Sequence, residues 1–195
     1  VEVLTPNPFT SGGARWNVMA AYGQAAQAGG KAGGKAGGDQ AGVAYLKQLF
    51  GNVPVQDDTA RKSLQTFTSG KGDALLAYEN EAIFAQQKGQ PLDYVVPEST
   101  ILIQNPVAVT ASTKYPEQAK AFLDFLRTPE AQTIFAKNGY RPVTANVAGP
   151  HPFPKPAALF TIIEFGGWAE VTKKFFDPAG SVMADVERGI GVSVG

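Results

Sequence analysis

Three times before residue 81 a short apolar run is followed by small or hydrogen-bond-donating residues and then by the periodicity of a helix. Val1–Leu4 leads through Thr10-Ser11-Gly12-Gly13 into a helix predicted over Ala14–Gln27. Val53–Val55 leads through Asp57-Asp58-Thr59-Ala60-Arg61 into a second helix with Leu64 and Phe67 inward, and Asp73–Tyr78 leads directly into a third, predicted over Glu79–Gln87. Strands that each run into a helix cannot pair as tight hairpins. The chain must cross over, so this repetition predicts a largely parallel sheet with helices on both faces. Ligands of such sheets bind at the carboxyl ends of strands, where helices begin.

The remaining pattern extends the same scheme. Trp16, Met19, Ala20 and Gly23 share one face of the first helix, which suits close packing on a sheet. Gly29–Gly38 is a Gly-rich mini-repeat, read as a mobile surface loop; it lacks the Gly-Lys-Ser/Thr ending of a phosphate loop. Asp39 is placed to cap a helix carrying Val43, Leu46 and Leu49, and Gly70-Lys71-Gly72 is a turn. Tyr94–Val96 and Ile101–Val109 are predicted strands, and Pro116–Arg127 and Pro129–Asn138 amphipathic helices with Pro near their starts. A Pro-rich extended run follows Tyr140, helical periodicity returns over Leu159–Phe176, and a short helix is predicted over Ser181–Arg188.

Composition narrows the function. Zero formal net charge gives no basic surface for nucleic acid, and no apolar run approaches the roughly 20 residues of a membrane span. With no cysteine and one histidine, His151 between two prolines, the chain has no thiol chemistry, no metal-ligand cluster and no Ser-His-Asp order; no GxGxxG is present either. The chain begins in a strand-like segment with no signal peptide ahead of it, so an upstream part is expected to be missing.

What remains is a set of donors. Ser11 can cap the first helix, and Gly12 and Gly13 let a ligand approach a helix N-terminus whose unpaired N–H groups and partial positive charge suit an anion. Each junction alone reads equally as ordinary capping; three in succession point to an oxyanion site. Tyr78 can offer its hydroxyl or simply pack. Arg15 and Arg61 stand in first helical turns, where positive charge is unfavourable, which suits tying down a loop or lending field to an anion. Glu79 and Glu81 could serve acid–base chemistry, but alternation puts them on different faces, and salt-bridge or capping roles are favoured.

These residues resemble a known family. Thr5-Pro6-Asn7-Pro8 with Thr10-Ser11-Gly12-Gly13-Ala14-Arg15-Trp16-Asn17 is similar to one signature of the sulfate/thiosulfate-binding proteins of ABC importers, and Gly72–Ala82 to a second. Pro97-Glu98-Ser99, Asn105–Val109, Ala136–Pro142, and Phe160-Thr161-Ile162 with Phe165-Gly166-Gly167-Trp168 follow in the family's order. The resemblance implies an α/β, type II periplasmic-binding-protein fold and a dehydrated sulfate held by neutral donors, with no metal, cofactor or catalytic residue. Those donors would be the Ser11 hydroxyl and N–H, the N–H groups of Gly12, Gly13 and Ala60, and Tyr78, with Thr10, Arg15 and Arg61 in support. Tyr78 falls where the family usually carries tryptophan; a phenol both donates and accepts, which loosens the exclusion of protonated oxyanions.

The resemblance also implies an organisation. One lobe is expected largely complete, with a central mixed, mainly parallel sheet flanked by helices, and the other mostly missing. Residues 1–104 would form the anion-binding second lobe, 105–142 a hinge strand and helices of the first lobe, and 143–195 a Pro-rich crossing and helices returning to the second. The implied protein is periplasmic or extracellular, peripheral to the membrane, and delivers its anion to ABC permease subunits by lobe closure. Phe122, Phe125, Leu126, Ile134 and Phe135 would lack their usual partner, so self-association through those helices is expected as well. The alternatives are an anion-dependent enzyme using Glu79 or Glu81, and an interaction module that kept the fold without binding.

Overall fold

The computed structural model describes residues 1–194, with the side chains of 31–36 outside the description. The elements run β1 (Val3–Leu4), α1 (Gly12–Phe50), α2 (Ala60–Thr68), β2 (Ala74–Leu75), α3 (Glu79–Gln87), β3 (Ser99–Ile101), α4 (Pro116–Leu126), α5 (Pro129–Lys137), β4 (Ala158–Phe160), a 3₁₀ turn (Ile162–Phe165), α6 (Gly167–Phe175) and α7 (Val182–Gly189).

α1 is not one straight rod. At 1.5 Å per residue a straight helix would hold Tyr22 and Gly42 about 30 Å apart. Instead, a Cβ added at Gly42 would stand 2.5 Å from the Tyr22 ring, and one at Gly38 2.6 Å from the Ala26 carbonyl oxygen. The arms 12–30 and 37–50 therefore lie back to back, and glycine permits that close approach. The Gly-rich repeat predicted as a mobile loop lies within α1 and is helical; only the side chains of 31–36 lie outside the description. Asp39 does not cap the second arm. It lies within α1, where its carboxylate accepts from the Tyr22 hydroxyl and pairs with Lys174 of α6 at 2.5 Å.

The strand pairing is parallel, as the crossover pattern predicts, and comes in two pairs. β1 pairs with β2 (Val3 opposite Ala74, Leu4 opposite Leu75), and β3 with β4 (Ser99 opposite Ala158, Ile101 opposite Phe160). Several predicted strands do not form. Val53–Val55 stays irregular because the Val53 N–H closes the turn after α1, donating to the Phe50 carbonyl at 3.1 Å. Tyr94–Val96 and residues 103–109 pair with no strand among the described residues, Leu102 keeps one bond to β4, its N–H donating to the Phe160 carbonyl at 2.8 Å, and Asp73–Tyr78 keeps only Ala74–Leu75 as strand. Conversely, residues 158–160 leave the helical pattern for β4, where Phe160 is buried and Leu159 faces outward. The helices α3, α4, α5 and α7 fall within a residue or two of their predicted spans.

The chain divides into two compact units: Val1–Tyr78, Val96–Ile103 and Pro156–Gly195 in one, Glu79–Val95 and Gln104–Lys155 in the other. The first has the main core, where Met19, Leu46, Phe160, Phe175 and Met183 are all almost fully buried. A Cβ at Gly23 would lie 2.6 Å from the Phe160 Cζ, so α1 rests directly on β4 through this glycine. In the second unit the Gln132 carboxamide donates to the Leu126 carbonyl and accepts from the Val143 N–H, and Arg141 forks onto Glu79. Phe122 (61 % exposed) and Ile134 (51 %) face outward from its helices.

Candidate functional site

Asn7 builds the turn before α1. Its Oδ1 accepts from the Phe9 N–H at 2.8 Å, and its carbonyl accepts from the N–H groups of Thr10 and Ser11 at 3.3 and 2.9 Å. Ser11 then takes an extended backbone (φ −117°, ψ 123°) and caps α1, its Oγ accepting from the Ala14 N–H at 3.4 Å. That leaves the hydroxyl proton as a donor. The Ser11 N–H is engaged by Asn7, so as a donor to a ligand only the hydroxyl of this residue is positioned. Gly12 and Gly13 follow in the first turn, where helix geometry provides no internal acceptor for their N–H groups.

Gly13 is where the three junctions meet. A Cβ placed there would stand 3.3 Å from the Ala60 Cβ, 3.5 Å from the Ser11 Oγ and 3.5 Å from Cε2 of Tyr78. At Gly12 it would meet nothing within 4 Å. Ala60 opens α2, capped by Thr59 (φ −141°, ψ 156°), whose Oγ1 accepts from the Lys62 N–H at 3.2 Å. The Ala60 N–H is thus another first-turn donor. The structure brings together Ser11, Gly13, Ala60 and Tyr78, residues spread over 68 positions of sequence (78 − 11 + 1), with Gly12 at the open edge.

The supporting residues have distinct roles. Thr10 donates through Oγ1 to the Asp58 carbonyl at 3.1 Å, and the Asn7 N–H donates to the Asp57 carbonyl at 2.8 Å; these bonds lash the first junction to the second. Arg15 ties down its loop, with Nε donating to the Pro8 carbonyl at 3.0 Å and the guanidinium 5.2 Å from the centre of the Phe176 ring. Arg61 is exposed in the first turn of α2. The third junction is braced by a residue that site reasoning from sequence passed over. The Asn17 carboxamide donates to the Thr5 Oγ1 and to the Leu76 carbonyl, both at 3.0 Å, and so joins the ends of β1 and β2 two residues before Tyr78. Its signal was a carboxamide between Trp16 and Val18, near the inward face of an apolar helix.

The donors gathered at Gly13 are neutral. Positive potential comes from the N-termini of α1 and α2. The nearby carboxylate, Asp58, pairs with Lys62 at 2.7 Å, and that hydrogen bond holds its carboxyl below the ordinary range. Among the described residues no group of three or more His, Cys, Asp or Glu could hold a metal. Glu79 accepts two hydrogen bonds from Arg141, at 2.7 and 2.9 Å; burial, followed by the Glu79 charge, raises the Tyr94 phenol. Glu81 is buried on α3, and the Gln87 carboxamide meets His151 Nε2 at 3.0 Å.

Comparison with known proteins converges on one group. The profile of the bacterial extracellular solute-binding proteins matches residues 1–141. A sulfate-binding protein of Synechococcus elongatus is 43 % identical over 187 residues, covering 92 % of this chain and 51 % of the relative. A sulfate-binding protein of Escherichia coli is 41 % identical over 194 residues, covering 93 % and 56 %. The solved structure of the sulfate-binding protein SubI from Mycobacterium tuberculosis superposes with a TM-score of 0.78 at 38 % identity, over 91 % of this chain and 60 % of that one. The chain spans about half the length of the curated relatives it matches.

Proposed function

We propose, from the premise that this chain belongs to the family of bacterial extracellular solute-binding proteins, that it binds sulfate or a closely related tetrahedral oxyanion and presents it to an ABC permease. The observation that carries the reading is the meeting of two helix N-termini, a serine hydroxyl and a tyrosine around Gly13, with neutral groups as the donors. Fully ionised sulfate carries no proton near neutral pH, so a site made of donors suits it, whereas a protonated oxyanion also needs an acceptor. Fixed amides and helix N-termini stabilise the charge without a salt bridge. The ligand residues in this reading are Ser11, Gly12, Gly13, Ala60 and Tyr78, with Thr10, Arg15 and Arg61 as supports.

The reading has no chemical step. The carboxylate weighed for acid–base chemistry, Glu79, is engaged by Arg141, and the relatives carry the names of binding proteins. The family's extracellular designation supports periplasmic or cell-surface residence. The unit bearing Ser11 and Ala60 is assigned as the anion-binding lobe and the unit of α4 and α5 as part of the other, whose exposed Phe122 and Ile134 offer a surface for self-association; α3, expected in the anion-binding lobe as part of residues 1–104, groups with that second unit instead.

Titration calorimetry of sulfate, thiosulfate, molybdate and phosphate into the chain at neutral pH tests this. Saturable heat with sulfate and weaker or absent heat with phosphate is the expected result. Equal binding of phosphate would overturn the donor-only logic and point to Tyr78 acting as an acceptor. No heat with any oxyanion would favour a module that kept the fold without the ligand.

A further inference from the structure

The C-terminal helix holds a buried carboxylate that the candidate site does not use. Glu187 on α7 is completely buried, and the Gln56 Nε2 donates to its Oε2 at 2.7 Å across 131 positions of chain. The other oxygen of each group, Gln56 Oε1 and Glu187 Oε1, is buried with no hydrogen-bond partner among the described residues. An ionised carboxylate accepts only, so in that state both oxygens are buried acceptors facing no donor, a costly arrangement. A carboxylic acid differs by one proton: it donates and accepts, and so does an amide.

We propose that Gln56 and Glu187 form a proton-operated latch. Glu187 Oε1 takes a proton from solvent and donates it in a hydrogen bond to Gln56 Oε1, closing a two-bond acid–amide pair; loss of that proton opens one side. A single proton thereby satisfies both orphaned oxygens.

Among the described residues no other charged group bonds to the pair. On α7 itself Asp185 and Arg188 meet each other at 3.5 Å. The helices packed against α7 are α1 and α6. Of their described charged and titratable groups, Arg15 is engaged at Pro8 and Phe176, and Asp39, Tyr22 and Lys174 bond among themselves. Lys47 and Tyr45 of α1 and Glu170 and Lys173 of α6 form no hydrogen bond or ion pair with Glu187, whose partner is Gln56. On the segment before α2, Asp57 accepts from the Thr66 Oγ1 at 3.0 Å and Asp58 pairs with Lys62. Burial pushes the Glu187 carboxyl above its ordinary range, partly offset by the Gln56 bond. Because the folded value lies above the unfolded one, the latch contributes fully at pH below the ordinary carboxylate value, and its contribution is lost as pH rises through the folded value.

The latch fastens the C-terminal helix to residues 56–60, whose Asp57 and Asp58 carbonyls hold the turn before α1 and whose Ala60 opens α2. It stands whether or not an anion binds at Gly13. Glu187→Gln puts an amide opposite an amide, which keeps both bonds closed at every pH. Thermal unfolding of the whole chain is followed from about pH 5 to about pH 9. The unmodified chain is expected to lose a few degrees of midpoint relative to E187Q as pH rises, with the gap closing at the acid end. Carboxyl-carbon NMR of the unmodified chain gives a second reading that needs no variant: one glutamate is expected to titrate above the ordinary carboxylate range. Parallel pH profiles for the two chains, or no glutamate titrating above that range, would overturn the latch.

Discussion

Removing the Ser11 hydroxyl separates its two roles, because the two replacements Ser11→Ala and Ser11→Gly differ in one of them only. The cap bond from the Ala14 N–H to the Ser11 Oγ is long, at 3.4 Å, which puts its loss in Ser11→Ala at the low end of the capping range, about 0.5–1 kcal/mol. For a chain of this size that lowers the thermal midpoint by about 1–4 °C. Glycine is nearly as good a cap, so Ser11→Gly should lose only a few tenths of a kcal/mol. The anion contact is lost equally in both. A hydrogen bond to a charged partner contributes about 1.5–3 kcal/mol, which is a fall in sulfate affinity of about tenfold to about 150-fold. Calorimetric sulfate titrations and circular-dichroism melts on the same preparations read the two quantities independently. The reasoning fails if both variants bind sulfate as tightly as the unmodified chain, since the hydroxyl would then be a cap and nothing more. It also fails if affinity follows the melting temperature, falling in Ser11→Ala and recovering in Ser11→Gly.

Other substitutions probe the surroundings. Gly13→Val places side-chain atoms among Ala60, Ser11 and Tyr78, where a Cβ already has neighbours at 3.3–3.5 Å; sulfate binding measured by calorimetry should be lost. Asn17→Leu strands the buried Thr5 hydroxyl and the Leu76 carbonyl, and a loss of about 1–3 kcal/mol is expected in urea titration. Gly23→Ala drives a methyl group towards the Phe160 ring, 2.6 Å from its Cζ, and overpacking at this contact should destabilise by about 1–3 kcal/mol in the same assay. Arg141→Met removes the fork onto Glu79, but with the arginine side chain 40 % exposed the loss measured by unfolding should stay under about 1 kcal/mol.

Local chemistry carried much of the fold into the sequence. The cap at Ser11 and the prolines that open α4 and α5 are interactions between near neighbours, so their residue types alone locate the helix starts. The glycines of the 29–38 repeat misled for a complementary reason. Their low helix propensity is a property of each residue by itself, whereas packing of the two arms of α1 rewards the absence of a Cβ at Gly38 and Gly42. Asp39 likewise has the composition of a cap, but Tyr22 and Lys174 claim its carboxylate.

The sequence by itself determined that donor-rich junctions follow short apolar strands, that the pairing is parallel, and that Ser11, Gly12, Gly13, Ala60 and Tyr78 belong to such junctions. The tertiary structure decided which of these groups face one another and which apolar runs become strands. Val53–Val55 and residues 102–109 have strand-like composition, yet the segments that pair are Val3–Leu4 with Ala74–Leu75 and Ser99–Ile101 with Ala158–Phe160, the latter 59 positions apart (158 − 99). It also assigned the Ser11 N–H to Asn7, gave Asn17 the work of joining two strand ends, and set Gln56 against Glu187. The physical reason is common to all of these. Capping and turn preferences are satisfied within about four residues of chain, whereas strand pairing, close helix approach and buried polar contacts depend on partners that only the folded chain brings within reach.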